Sequence, residues 1–186
     1  DNIQSNFHYQ AAMDSEIVDP HSSINKLIVK LNGLGFTQVF NNTLISKSES
    51  TIDTKRTVQV INPLSDKMSH LRTSLIPGLV KNVNFNIKNS KNDIMLFEYG
   101  NIFSKNGQGL KNLNEELLLS GLIFGNISEK SMFQSSPLKS DFFGIKGLLT
   151  SFLNSLGLGV VSTISSSKQS TVFDNTNQLK IDNLSI

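Results

Sequence analysis

The 186-residue sequence contains no cysteine and no tryptophan, and it has only two tyrosines, three histidines and two arginines, Arg56 and Arg72. Without cysteine there can be no disulfide framework, thiolate nucleophile, Cys-ligated zinc site or iron–sulfur cluster. His8, His21 and His70 form no His-x-x-x-His or His-Glu pattern, so neither a metal site nor a His-based catalytic dyad is indicated. No apolar run approaches the roughly 18 residues needed to span a bilayer. The opening DNIQSNFHYQ also lacks the charged-then-apolar order of a signal peptide. An intracellular, cytoplasmic setting without a membrane partner is the resulting expectation. The chain opens at Asp1 rather than Met and stops at Ile186 without an obvious terminal element, and it reads as a piece of a longer protein.

What is present suits one soluble globular domain, or two small ones. Hydrophobic residues make up 38% and charged residues 17%, and twelve phenylalanines supply bulky core material. A chain of this length can bury roughly two-thirds of the surface its unfolded form exposes. The balance of 17 Lys+Arg against 15 Asp+Glu leaves a charge of +2, with lysines scattered singly. No basic stripe of the kind that tracks a phosphate backbone is visible.

The first 18 residues are polar and non-periodic, and read as a linker ahead of a domain over 19–186. Asp19-Pro20 can open a helix, Ile24, Leu27, Ile28 and Leu31 recur at helical spacing, and Gly33 and Gly35 supply the stop. Phe36–Ile45 and Thr57–Ile61 have strand composition and bracket a polar loop. A turn at Asn62-Pro63-Leu64-Ser65 precedes a second helix carrying Ile76, Leu79, Val80, Val83 and Ile87, with Ser74 placed to cap it and Pro77 in its first turn. Asp93–Phe103 is apolar on both alternating faces, as a strand covered on both sides should be. Asn106-Gly107 then signals a tight reversal into a strand at Glu116–Gly125, paired antiparallel. Asp141 precedes a third helix lined by Phe142, Ile145, Leu148, Leu149, Phe152 and Leu156 and ended by Gly157, and Val160–Ser165 reads as a further strand. Helices and antiparallel strands are interspersed without regular βαβ alternation. The expected class is α+β, a mainly antiparallel sheet flanked by helices.

Few residues invite a chemical reading. Glu115-Glu116 cannot converge as an acid/base pair, because successive strand residues face opposite ways; it reads as solvated hairpin charge. Glu98 shares a strand face with Ile94, Leu96, Gly100 and Ile102, and a carboxylate on an apolar face needs a partner. Arg72, at the opening of the second helix, is the plausible one. The pair reads either as a buried structural ion pair or as a place where Arg72 receives a substrate carboxylate or phosphate. Gly107-Gln108-Gly109 lacks both the Lys-Ser/Thr ending of a phosphate loop and the further glycine of a dinucleotide fingerprint. No Gly-x-Ser-x-Gly elbow is present, and His70 has no titrating neighbour in sequence. Residue by residue, enzymatic chemistry is not indicated.

The run NPLSDKMSHLRTSLIPGLVKNVNFN, from Asn62 onward, resembles the signature of the bacterial phenylalanyl-tRNA synthetase beta chain family. Leu96-Phe97-Glu98-Tyr99-Gly100-Asn101-Ile102-Phe103 and Asp141-Phe142-Phe143-Gly144-Ile145-Lys146-Gly147 resemble later landmarks of that family, in the same order and at suitable spacing. Asp1-Asn2-Ile3 resembles the end of the small domain that precedes this one, so the likeness covers essentially the whole chain. Asn62, Pro63, Arg72, Glu98, Gly100, Asp141 and Lys146 are the motif positions it marks. Phe133 departs from it, standing where Trp is common.

The resemblance implies a class II aminoacyl-tRNA synthetase core in a non-catalytic version, with catalytic, cofactor and metal residues in this chain all absent. It implies an alpha subunit as partner, an assembly of two alpha and two beta chains that charges tRNA with phenylalanine, and ATP and magnesium used by the complete enzyme rather than by this fragment. Class II sites grip ATP phosphates with arginines, one of them on the central strands. Between Asp93 and Gly125 there is none. The alternatives are a self-contained class II adenylating enzyme and a weak tRNA-binding module. Helix one and its neighbouring strands resemble the part of class II folds that forms subunit interfaces, which nominates Ile24, Leu27, Phe36, Val39 and Phe40 as candidate contacts to the alpha chain, with Leu27 better suited to the domain's own core.

Overall fold

The computed structural model describes residues 21–50, 57–107, 112–128 and 136–158, and the backbone of 161–165 and 177–181. Helix α1 (Ser22–Gly33) leads through β1 (Thr37–Gln38), β2 (Leu44–Ile45) and β3 (Val58–Gln59) to a 3-10 turn (Asp66–Met68) and β4 (His70–Leu71). Then come α2 (Ile76–Lys88), the long pair β5 (Ile94–Lys105) and β6 (Leu113–Phe124), and the short strands β7 (Asn126–Ser128) and β8 (Leu138–Lys139). Helix α3 (Phe142–Ser155), β9 (Val161–Ser165) and β10 (Asn177–Ile181) follow. The readings of 1–18 as a linker, of Asp19-Pro20 as a helix start, and those on Arg56, Gly109 and Phe133 lie outside the described residues.

Each helix stops for a local reason. In α1, Phe36 N–H donates to the Leu31 carbonyl and Gly35 N–H to that of Asn32, with Gly35 at φ +92°. This is the paired closure of a Schellman motif, in which the left-handed position favours glycine. α3 ends the same way through Gly157 (φ +76°) and Leu158, and α2 through Ser90 (φ +62°) and Lys91. At the start of α3, Asp141 Oδ1 accepts from Gly144 N–H at 2.8 Å. Ser74 Oγ accepts from Ile76 N–H at 3.2 Å as α2 opens.

β5 is the middle strand of the order β1-β5-β6, antiparallel to β6 over the full run Ile94↔Phe124 to Lys105↔Leu113. Its two faces build two cores. Ile94 and Leu96 pack with Leu79 and Val83 of α2, joined by Val39, Ile76 and Leu122. Phe97 packs with Leu31 of α1 and Phe152 of α3, and Phe36 meets it edge-on at 6.5 Å between ring centroids. The two-sided apolar pattern of this strand is thereby accounted for: a helix layer covers each face. A second small sheet, β2-β4-β3, lies in front of α2 in the chain order, and β9 pairs antiparallel with β10.

Four local expectations need correction. The Phe36–Ile45 strand is broken into β1 and β2, because Phe40–Thr43 leave the ladder and Asn41 turns its polar groups to Glu98. Strand β6 begins at Leu113 rather than Glu116, and the reversal is longer than a two-residue turn, closed by Asn106 N–H on the Asn112 carbonyl with Gly107 at φ +112°. β1 pairs parallel with β5, in a sheet otherwise antiparallel. The polarity of the last residues concealed β10, whose register with β9 supplies what its composition does not.

Candidate functional site

Arg72 does not open α2; it follows β4 directly and stands ahead of the helix start at Ile76. Its N–H donates to the Thr43 carbonyl and its carbonyl accepts from Phe103 N–H, both at 2.9 Å. The backbone is thus tied to the β2 side on one edge and to β5 on the other. From there Nη1 donates to Glu98 Oε1 at 2.6 Å and Nε to the Asn101 carbonyl at 2.8 Å. The two side chains are 7% and 2% exposed, so this is a desolvated ion pair. Buried charges persist in such places only when paired and hydrogen-bonded, and both conditions hold here.

Asn41 completes the arrangement. Its N–H donates to Glu98 Oε1 at 3.1 Å and its amide nitrogen to Oε2 at 2.7 Å. Its side-chain oxygen accepts from Asn82 Nδ2 on α2 at 2.9 Å. Two glycines make room. A Cβ on Gly100 would run into the Arg72 guanidinium, and one on Gly78 would press on the Asn41 side chain at 2.8 Å. The space left beside the pair, bordered by Asn41, Arg72, Pro77, Gly78 and Glu98, is about 10 Å³, about one water molecule's worth.

Of the residues singled out from sequence, Arg72, Glu98 and Gly100 therefore come together. Asn62 (φ +55°) and Pro63 stand exposed in the turn before the 3-10 segment. Asp141 caps α3, and Lys146 borders a shallow groove of about 630 Å³ along that helix, with Phe143, Gly147 and Thr150. Val39 and Phe36 are built into the two cores and Leu27 packs on the second, whereas Ile24 is half-buried and Phe40 is 81% exposed. His70 is buried with Nδ1 2.9 Å from Ser69 Oγ. The Ser69 hydroxyl donates to the Asp66 carbonyl, which leaves it to accept from the imidazole, a structural satisfaction of both groups.

Asn41, Asn82 and Gly78 were not anticipated. Nothing distinguishes these asparagines from loop and helix-surface asparagines in sequence, although a glycine inside the first turns of a helix is a costly choice that hints at close approach.

A second hollow, about 150 Å³, lies between α1, α3 and the sheet, bordered by Leu31, Phe36, Phe97, Leu119, Leu149 and Phe152. These side chains offer no polar group to orient an amino acid or a nucleotide. Among the described residues no three His, Asp or Glu side chains gather as a cation site, and no helix is long and apolar enough to cross a membrane.

Comparison with known proteins places this geometry. Pyrrolysyl-tRNA synthetase from Desulfitobacterium hafniense has the same fold, with TM-score 0.63 and 24% identity, over 87% of this chain and 55% of that one. The phenylalanine–tRNA ligase beta subunit of Listeria innocua is 35% identical over 132 residues, 69% of this chain and 16% of the relative. That of Staphylococcus epidermidis is 28% identical over 155 residues, 81% of this chain and 19% of the relative. The match thus spans less than a fifth of those relatives' length. The model of the phenylalanyl tRNA synthetase beta chain CLM domain matches residues 10–185. With its α+β architecture and its three ordered motifs, the chain belongs to the phenylalanyl-tRNA synthetase beta chain CLM domain family.

Proposed function

We propose that this domain is the non-catalytic, class II-type core of a phenylalanine–tRNA ligase beta subunit, supporting assembly with a catalytic alpha subunit in the cytoplasm. The complete enzyme would use ATP and magnesium to charge tRNA with phenylalanine. The observation that carries the reading is the state of Arg72. Arg72 follows β4 at the sheet, and its charge is neutralised by Glu98 beside a space of about 10 Å³. A phosphate or an amino-acid carboxylate would have to displace Glu98 and its two bonds from Asn41 to reach it. Ground-state occupancy by an internal carboxylate disfavours an external one. The chain also has no arginine between Asp93 and Gly125, where strands β5 and β6 would have to present one to ATP.

Two measurements separate this from the alternatives. The chain alone should show no phenylalanine-dependent ATP–pyrophosphate exchange, and the full beta chain should co-purify with its alpha subunit. Exchange by the isolated chain that is abolished in Arg72→Ala would establish a self-contained adenylating enzyme instead. Tight tRNA binding by the isolated chain at moderate salt would favour a nucleic-acid module, which the charge of +2 argues against.

A further inference from the structure

We infer that Asn106 is a site of spontaneous covalent modification: the Gly107 backbone nitrogen displaces its carboxamide nitrogen, leaving aspartate or isoaspartate at the tip of the β5–β6 hairpin. The sequence holds two Asn-Gly pairs, Asn32-Gly33 and Asn106-Gly107, and all four residues are exposed. Glycine after asparagine favours ring closure, because no Cβ stands in the way of the attacking nitrogen. The sequence alone nominates both pairs, and the fold separates them.

Asn32 and Gly33 are the last two residues of α1. Helical backbone, with ψ about −42°, turns the following nitrogen away from the asparagine Cγ, and the Gly33 N–H is committed to the i→i−4 ladder. The Asn32 carbonyl is tied as well, accepting from Gly35 N–H at 3.0 Å. Asn106 stands just past Lys105, where β5 ends. Its own N–H is anchored on the Asn112 carbonyl at 3.0 Å, but neither its carboxamide nor the Gly107 N–H has a hydrogen-bond partner among the described residues. Gly107 sits at φ +112°, and a Cβ there would come within 3.2 Å of the Asn112 amide nitrogen. The reversal therefore needs glycine at this position, and that need sets the most reactive neighbour beside an unrestrained carboxamide.

Hydroxide removes the Gly107 amide proton, and the nitrogen attacks Asn106 Cγ. The bond from Cγ to the carboxamide nitrogen breaks, ammonia leaves, and a five-membered succinimide remains. Water then opens the ring. Addition at Cγ gives aspartate; addition at the former Asn106 backbone carbonyl, the more electrophilic side, gives isoaspartate, whose main chain runs through Cβ and Cγ and whose α-carboxylate is free. One water is consumed and one ammonia released, with no change of oxidation state, and the formal charge of +2 falls by one. The methylene added in isoaspartate lies inside the loop closed by Asn106 N–H and the Asn112 carbonyl, so the rungs beside it, Lys105↔Leu113 and Ser104↔Asn114, are the ones to loosen.

The test incubates the full beta chain at mildly alkaline pH and physiological temperature, natively and in urea, and follows both Asn-Gly pairs by peptide mass spectrometry, reading the exchange of an amide nitrogen for oxygen. Isoaspartate is told from aspartate by labelling with an isoaspartyl carboxyl methyltransferase and its methyl donor. In the native chain Asn106 should convert on the order of tenfold faster than Asn32, because Asn32 reacts only when the end of α1 opens, and in urea the two rates should converge. Asn106→Gln, which cannot close the five-membered ring, should abolish conversion at this position and leave Asn32 unchanged. Hydrogen exchange of the aged chain should show protection lost at residues 104–105 and 113–114, whereas Asn106→Asp, with an unaltered main chain, should keep it. Equal native rates at the two pairs, or a faster Asn32, would overturn the assignment, and so would a methyl label that persists in Asn106→Gln at the hairpin peptide. Conversion at Asn106 with no isoaspartyl label would overturn the branched product.

Discussion

The guanidinium of Arg72 occupies the volume in which any residue at position 100 other than glycine would carry its Cβ. Arg72 cannot retreat without leaving Glu98 Oε1 and the Asn101 carbonyl. Gly100→Ala should therefore destabilise the domain by about 1–3 kcal/mol, the usual range for overpacking, although alanine suits a strand better than glycine elsewhere. Urea unfolding of the two proteins measures it; an unchanged midpoint would show that the pair has slack.

The pair itself should be strongly non-additive. Arg72→Met or Glu98→Leu alone strands an uncompensated buried charge and should cost about 3–5 kcal/mol. The double variant should cost less than the sum and less than the worse single change. A double-mutant cycle in denaturant gives the coupling, and additive losses would contradict a direct interaction.

Ser90 closes α2 in the left-handed region, where α1 and α3 use Gly35 and Gly157. A side chain at such a position costs roughly 1–2 kcal/mol, partly offset by the greater freedom that glycine regains on unfolding. Ser90→Gly should raise stability by up to about 1 kcal/mol, seen as a higher thermal midpoint, whereas Gly157→Ala should lower it.

Asp141 caps α3 through Gly144 N–H, and Asp141→Ala should cost about 1 kcal/mol while Asp141→Asn, which keeps an acceptor, costs less. Calorimetry on the three proteins distinguishes the cap from a merely electrostatic contribution, since only the latter would be lost equally in both variants.

Glu49 offers a pH-dependent check. Burial raises its pKa, but hydrogen bonding and attraction from Lys81, together with the Ser46 N–H, outweigh that and leave the carboxyl below its ordinary value. A depressed folded-state pKa contributes stability that is present above the unfolded value of about 4.3 and disappears as pH falls through the folded value. Lys81 is 62% exposed, so the contribution is at most about 1 kcal/mol and shrinks with added salt. The stability gap between wild type and Glu49→Gln should close as pH is lowered from 6 to about 3; a gap that widens would reverse the assignment.

The helices were legible from local chemistry. Stripes such as Ile24, Leu27, Ile28 and Leu31, the cap at Asp141 and the stop at Gly157 act within one or two turns, so adjacent residues contain the whole cause. Strand β5 was legible for a similar reason, since apolar residues on both alternating faces require cover on both sides. Even the Arg72–Glu98 pair could be anticipated, because one carboxylate on an apolar face and two arginines in the chain leave little choice. Tertiary structure alone decided the rest. Asn41 reaches Glu98 across 57 residues and Asn82 across 41, and an amide that suits any loop becomes a keystone only when β1, β5 and α2 converge on it. The same convergence breaks the strand after Val39 and makes β1 run parallel to β5. It also leaves Phe40 outside while Val39 and Phe36 enter the two cores, because cover depends on which helix lies over each face, and that is set by the path of the chain rather than by any single residue.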